Sequence, residues 1–143
     1  MVLPERIGEV MGGAAVLGAE IRSLHDLEAT VSAGLPKGAL RRTLEHIYTS
    51  AGELRQAIYR VVPEATFKRR DRLSLSEGER TERLARLIAT AEYVLDDPED
   101  AREWLTTPHP ELEGRTPLEA AETQLGAQRA EYILDCLLFG LPV

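Results

Sequence analysis

The stretch that decides the fold is LSLSEGERTERLARLIATAEYVL, residues 73–95. Ser74 or Ser76 can cap a helix with an acidic first turn, and apolar residues then recur at the spacing of one helix face. These apolar residues are Leu84, Leu87, Ile88, Ala91 and Leu95. The spacing predicts a long amphipathic helix from about Glu77 to Leu95, with its apolar side in a core.

Shorter segments on both sides of this helix carry helix start and stop signals. Ser23, Ser50 and Thr116 are candidate N-caps, and Gly34 is a candidate C-terminal glycine. No alternating run of strand length stands out, so the sequence predicts an all-α fold. We expect a variable arm that could be flexible over residues 1–22, a helix-turn-helix domain over 23–76 and a second helical domain over 77–143.

The composition indicates a soluble chain of 143 residues, because 43% of the residues are hydrophobic and 29% are charged. No window is long and apolar enough for a membrane span, and the first residues lack the pattern of a signal peptide. With a single cysteine, Cys136, no intrachain disulfide can form. A cytoplasmic location is therefore the default expectation.

The charge is unevenly distributed along the chain. Residues 37–86 carry twelve basic and seven acidic side chains, a net charge of +5. Residues 87–143 carry three basic and twelve acidic side chains, a net charge of −9. The middle segment can bind an anion such as nucleic acid, whereas the acidic segment would be repelled by one.

Residues 35–72 have the organisation of a helix-turn-helix, with two helices, a turn and the basic stretch TFKRRDR. The candidate DNA contacts, to phosphates and to a base edge, are Thr66, Lys68, Arg69, Arg70 and Arg72. Neighbouring cations at Arg41, Arg42, Arg55 and Arg60 favour this hypothesis. The alternative is that these cations form a solvated surface beside Glu64 and Asp71.

Residues suited to catalysis or metal binding are sparse. The acidic cluster from Asp96 to Glu103 flanks a predicted helix start, where carboxylates stabilise the helix dipole. No histidine stands at metal-ligand spacing, and the chain contains none of the common nucleophile or phosphate-loop motifs. We therefore expect no enzyme activity and no metal site.

The C-terminal segment GAQRAEYILDCLLFGLPV, residues 126–143, is strongly apolar. The predicted helix has an apolar face of Ile133, Leu134, Leu137 and Leu138, widened by Tyr132, Cys136 and Phe139. Such a helix lies in the domain core or at a subunit interface. The tail that follows, Leu141–Val143, either folds back on its own core or inserts into a partner.

From about residue 34 onward the chain resembles the Xre/MbcA/ParS antitoxins, which neutralise RES-type toxins. The resemblance begins with GLP at 34–36, ATFKRR at 65–70 and the helix at 73–91. It continues through Ala101, Trp104, Leu105, Pro108, Leu112, Gly114, Pro117, Leu118, Gly126, Ala127 and Gly140. The chain departs from the family pattern at Ala65, where Arg is usual, and at Glu113, where Gly is frequent.

This resemblance implies an Xre-like helix-turn-helix domain followed by a helical toxin-binding domain. It also implies a homodimer that binds a RES-type, NAD-degrading toxin and blocks the active site of that toxin without a cofactor. The net charge of +5 in residues 37–86 adds the hypothesis that the protein represses its own operon by binding operator DNA. The toxin-binding candidates are Trp104, Gly114, Arg115, Phe139, Gly140, Leu141, Pro142 and Val143. Two alternatives are a stand-alone helix-turn-helix repressor with a C-terminal effector or dimerisation domain, and a toxin-binding adaptor without DNA contact.

Overall fold

The structure is a computed structural model that describes residues 2–143. Within that range the secondary structure is helical, apart from an isolated β-bridge between Pro36 and Arg72. The α-helices are α1 (Pro4–Val10), α2 (Gly13–Leu17), α3 (Leu24–Ser32), α4 (Lys37–Glu45), α5 (Ala51–Val61), α6 (Glu64–Arg69), α7 (Leu75–Leu95), α8 (Pro98–Leu105), α9 (Pro117–Ala120) and α10 (Gln124–Phe139). A short 3-10 helix spans Pro110–Leu112. The prediction of an all-α fold is confirmed.

The helices form two compact units, and the chain passes from one to the other within α7. The N-terminal unit comprises residues 3–85, and the C-terminal unit comprises residues 86–143 together with Val2. The sequence-based boundary after residue 76 therefore differs from the structure. The reason is that α7 contributes buried side chains to both units. Leu84 is buried in its first part, and Leu87 and Ile88 are buried in its second part.

The N-terminal unit includes the segment that the sequence assigned to a variable arm. Instead of an arm, the structure has α1 and α2, which pack against each other and against α3 and α4. Ile7, Val10, Met11 and Leu17 are buried there. Gly8 in α1 allows close packing, since a Cβ there would lie only 2.9 Å from the Ile21 side chain.

Side-chain caps fix where several helices begin. The hydroxyl groups of Ser23, Ser50 and Thr116 accept hydrogen bonds from the backbone of α3, α5 and α9, as predicted. Ser74 caps α7 by accepting from the Glu77 amide, and the Glu77 carboxylate accepts from the Ser74 amide in return. Reciprocal bonds of this kind satisfy two backbone donors that a helix N-terminus otherwise leaves unpaired.

The C-terminal unit has its core between the end of α7 and the helices α8 to α10. Helix α9 packs against both α8 and α10, and the 3-10 helix packs against α10. The start of α10 approaches α9 so closely that a Cβ at Gly126 would overlap the carbonyl group of Ala120. None of the helices within residues 2–143 is long and apolar enough to cross a lipid bilayer.

Candidate functional site

Helices α5 and α6, joined by the short turn at Val62 and Pro63, form the helix-turn-helix of the N-terminal unit. The second of these helices, α6, has only six residues and would not be stable alone. It is held by Phe67, a buried side chain whose ring makes an edge contact with Tyr59 at a centroid distance of 6.1 Å. The cations at the end of α6 are therefore presented by a fixed element.

Lys37, at the start of α4, also supports α6. Its Nζ donates a hydrogen bond of 2.9 Å to the carbonyl oxygen of Phe67 and lies 5.0 Å from the centre of the Phe67 ring. The Arg41 guanidinium lies 6.0 Å from the same ring. Lys37 is a functional candidate that local sequence patterns do not reveal, because its contact with Phe67 spans thirty positions of the chain.

The five predicted DNA-contacting residues fall into two groups. Lys68 and Arg69 are exposed on α6, and Thr66 is half-buried beside them. Arg69 forms no hydrogen bond or ion pair within residues 2–143. In contrast, Arg72 donates a hydrogen bond of 2.7 Å to the Gly34 carbonyl, and Arg70 binds Glu77. The structure thus leaves Arg69 the most available of the five.

Lys68 forms an exposed ion pair with Glu64, one turn earlier in α6, at an Nζ–Oε1 distance of 2.7 Å. This hydrogen bond raises the pKa of Lys68 and lowers the pKa of Glu64. Because an exposed pair of this kind contributes little stability, Lys68 can leave Glu64 for a phosphate group. The nearby charge of Arg55 on α5 also acts on both groups, which extends the basic surface from α6 to α5.

Arg70 has a structural role at the junction of α6 and α7. Its guanidinium donates to both carboxylate oxygens of Glu77, at 2.9 Å each. Burial raises the pKa of Glu77, but the hydrogen bonds from the Ser74 backbone and from Arg70 outweigh it, so the pKa lies below its ordinary value. Glu77 therefore stays ionised and holds the half-buried Arg70 guanidinium in place.

Arg70→Ala and Arg69→Ala are expected to differ in stability. Arg70→Ala leaves the part-buried Glu77 carboxylate without its charged partner, which costs about 1.5 kcal/mol of unfolding free energy. Arg69→Ala changes an exposed side chain and is expected to stay within about 0.5 kcal/mol of the parent. Thermal or urea unfolding followed by circular dichroism measures the stability of both variants. Equal stabilities would contradict the structural role assigned to Arg70.

The end of α8 and the loop between α8 and α9 carry three of the predicted toxin-binding residues. Trp104 is half-buried and makes an edge contact with the ring of His109 at a centroid distance of 6.5 Å. Gly114 is exposed, and the Arg115 guanidinium donates to the Leu112 carbonyl at 3.0 Å. Within residues 2–143, no hydrogen bond or ring contact joins Trp104 to residues 139–143.

The backbone conformation of Glu113 explains why glycine is frequent at this position in the family that the chain resembles. Its φ of 58° lies in the left-handed region, which costs energy for a side chain with a Cβ. The carboxylate receives hydrogen bonds from Arg129 at 2.6 and 2.9 Å and from Arg115 at 3.2 Å. The Arg129 bond is the main reason why the pKa of Glu113 is lowered.

The end of α10 and the tail form an exposed apolar surface. Ile133, Leu134 and Cys136 of the predicted apolar face are buried, but the remaining members are exposed: Tyr132, Leu137, Leu138 and Phe139. Gly140 ends the helix in the left-handed conformation, and the Leu141 amide bonds to the Cys136 carbonyl at 2.8 Å. Beyond it, Leu141 is 58% exposed and Val143 is 50% exposed. Of the two alternatives for the tail, folding back on its own core is therefore wrong.

Asp97 of the acidic cluster and His109 serve as helix caps. Asp97 accepts a hydrogen bond from the Glu99 amide at the start of α8, and His109 Nδ1 accepts from the Glu111 amide before the 3-10 helix. Across residues 2–143, no group of three or more His, Cys, Asp and Glu side chains could hold a metal ion. The acidic cluster thus acts on the helix start, as its position in the sequence predicts.

Comparison with known proteins gives two family matches along the chain. Residues 26–86 match the model described as the antitoxin Xre-like helix-turn-helix domain. Residues 90–140 match the model described as the antitoxin Xre/MbcA/ParS C-terminal toxin-binding domain. A search of curated proteins gives no significant match. The two matched ranges extend from within α3 to the end of α10, apart from residues 87–89, and contain both the basic surface and the exposed end of α10.

Proposed function

The chain belongs to the Xre/MbcA/ParS family of antitoxins, and we propose that it neutralises a RES-type, NAD-degrading toxin encoded beside it. In this proposal the C-terminal unit covers the active site of the toxin, and the N-terminal unit represses the operon as a homodimer in the cytoplasm. Neutralisation needs no cofactor, because the antitoxin acts by steric exclusion.

The observation that carries the proposal is the exposed apolar end of the chain. Phe139, Leu141 and Val143 stay exposed although their side chains are large and apolar. Residues of this kind at one end of a domain mark a protein-binding surface. They adjoin or lie within the range that matches the toxin-binding domain, residues 90–140.

The charge of the C-terminal unit supports blockage of a nucleotide-binding cleft. An enzyme that takes an anionic dinucleotide needs cations in its active site to bind the phosphates. Residues 87–143 carry a net charge of −9, which is complementary to such a cleft and would speed association with it. Apolar tail residues would then exclude the substrate by occupying its place.

Co-expression with the neighbouring gene tests the proposal. Expressed alone, the neighbouring gene product should arrest growth and deplete NAD, and co-expression of this chain should restore both. The two proteins should also co-purify as a stable complex. If the neighbouring product neither binds the chain nor affects NAD, the proposed toxin class is wrong.

Operator binding is expected to depend on the exposed cations of α6. Lys68→Ala combined with Arg69→Ala should weaken binding to the upstream DNA by roughly 10-fold or more, since each cation that contacts a phosphate adds to the salt-dependent affinity. The salt dependence, plotted as log K against log salt, should become shallower by about one unit per lost phosphate contact. Fluorescence anisotropy at several salt concentrations measures both quantities.

Arg22→Ala is the matched control for operator binding, because Arg22 is an exposed cation of the same unit that pairs with Glu20 outside the helix-turn-helix. We expect this variant to bind DNA as the parent does. Toxin binding should be the same in all three proteins. An unchanged salt dependence in the α6 variant would mean that α6 does not contact phosphates.

A further inference from the structure

The chain before α4 pairs with the chain after α6 through two backbone hydrogen bonds. The Lys37 amide donates to the Asp71 carbonyl at 3.0 Å, and the Leu73 amide donates to the Leu35 carbonyl at 2.8 Å. Both bonds lie beyond the last residue of α6, so they fix where the chain leaves the helix but not the helix itself. Because α6 is too short to be stable alone, its position depends on contacts of its own residues.

The Lys37 side chain makes such a contact with the last turn of α6. The Phe67 carbonyl is among those at the end of the helix that have no amide partner within it. Lys37 Nζ donates to this carbonyl at 2.9 Å, and an ammonium group at the C-terminal end of a helix also interacts favourably with the helix dipole. Nζ lies 5.0 Å from the centre of the Phe67 ring, within the range of a cation–π contact. One side chain thus holds both the backbone and the ring of the same α6 residue.

Phe67 stands directly before the two exposed cations of α6. Lys68 and Arg69 follow it in the chain, so a shift of the Phe67 backbone also shifts the backbone from which both cations project. Hydrogen bonds to base edges depend on the geometry of donor and acceptor, whereas attraction to phosphates depends mainly on charge. The contact between Lys37 and Phe67 is therefore suited to controlling the sequence preference of α6.

We infer that Lys37 is a positioning residue that sets the preference of α6 for the operator sequence without contacting the DNA itself. This role rests on the operator binding of the proposed function. Lys37 and Lys68 are the two lysines of the chain. Lys37 is half-buried and its Nζ is bonded to the protein backbone, whereas Lys68 is exposed on α6. One lysine thus positions the helix, and the other contacts phosphate.

Fluorescence anisotropy with two DNA duplexes tests this role. One duplex carries the upstream sequence of the operon, and the other carries a shuffled sequence of equal length and composition. Lys37→Met removes the ammonium group but keeps a long, flexible side chain. This variant should bind the upstream duplex about 10-fold more weakly than the parent, and the shuffled duplex within about 2-fold of the parent. The salt dependence of binding should not change, because no phosphate contact is lost.

Lys68→Met is the matched control, because it makes the same substitution at the exposed lysine of α6. This variant should weaken binding to both duplexes by a similar factor and make the salt dependence shallower. A residue that only stabilises the fold would reduce the active fraction of the protein for both duplexes equally. The ratio of the two affinities therefore separates positioning from stability, which circular dichroism measures independently.

Acetylation of the parent protein gives a measurement that needs no variant, and it decides the question if Lys37→Met does not fold. Mass spectrometry should show slower acetylation at Lys37 than at Lys68 in the free protein, because the Lys37 ammonium group is bonded and half-buried. The upstream duplex should protect Lys68 and leave the rate at Lys37 unchanged. Protection of Lys37 by both duplexes would make it a phosphate contact and overturn the inference.

The remaining outcomes separate this role from the proposed function. If the parent prefers the upstream duplex and Lys37→Met keeps that preference, or loses affinity for both duplexes equally, only the role of Lys37 is overturned. A parent that binds both duplexes alike overturns the role of Lys37 and the proposed repression of the operon together. Neutralisation of the neighbouring gene product is assigned to the C-terminal unit, and its co-expression test has an outcome independent of these.

Discussion

Gly126→Ala should lower the free energy of unfolding by roughly 3 kcal/mol, the upper part of the usual range for overpacking a core. The added Cβ would overlap the carbonyl oxygen of Ala120 and lie 2.8 Å from its carbonyl carbon. Because the obstacle is backbone, no side-chain rotation can relieve the clash, and α10 must move away from α9. Circular dichroism should show a melting temperature lower by on the order of 10 °C.

Gly52→Ala is the matched control for this substitution. Gly52 is also in the first turn of a helix, α5, but a Cβ there would meet only the Ser50 hydroxyl at 3.9 Å. Alanine is the better helix former, so Gly52→Ala should leave stability unchanged or raise it by up to about 1 kcal/mol. If Gly126→Ala melts within a few degrees of Gly52→Ala, α9 and α10 are not as close as the structure has them.

The double variant Leu141→Ser, Val143→Ser replaces the two apolar side chains of the tail and should bind the toxin much more weakly than the parent does. Burial of a leucine and a valine in a partner contributes roughly 3 kcal/mol in total, so removing both should raise the dissociation constant about 100-fold. Calorimetric titration of the purified variant with the neighbouring gene product measures this change, and growth under toxin expression reports it in cells.

The tail variant should be as stable as the parent, because both side chains are exposed and serine keeps the Leu141 amide that bonds to Cys136. Leu75→Ser, at an exposed leucine of the N-terminal unit, is the matched control and should bind the toxin normally. An unchanged dissociation constant in the tail variant would place the toxin-binding surface within residues 90–140 instead of in the tail.

Local signals in the sequence were enough to predict most of the helices. The caps at Ser23, Ser50 and Thr116 and the periodicity of α7 depend on residues within one or two turns. The helices α1 and α2 carry no comparable local signal, because a glycine such as Gly8 has the same local signature in a flexible arm and in a tightly packed pair of helices. Only the contact between Gly8 and Ile21, which is tertiary, distinguishes the two.

In the candidate sites, too, the sequence predicts the charge of a segment but not the partners of its side chains. The basic character of TFKRRDR predicted a cationic surface, but the partners of its residues lie elsewhere in the chain. Arg70 differs from Arg69 because Glu77 accepts its hydrogen bonds, and Arg72 is bound by Gly34. The family resemblance, which rests on ordered motifs along the chain, predicted both domains, and the two family matches confirm it.

The left-handed backbone at Glu113 is expected to couple this position to position 129 in evolution. A glycine at 113 would relax the backbone, but it would also remove the carboxylate that Arg129 binds. Arginine at 129 would then lose its carboxylate partner. Among homologues, glycine at the first position should therefore accompany free variation at the second, and glutamate should accompany a retained arginine.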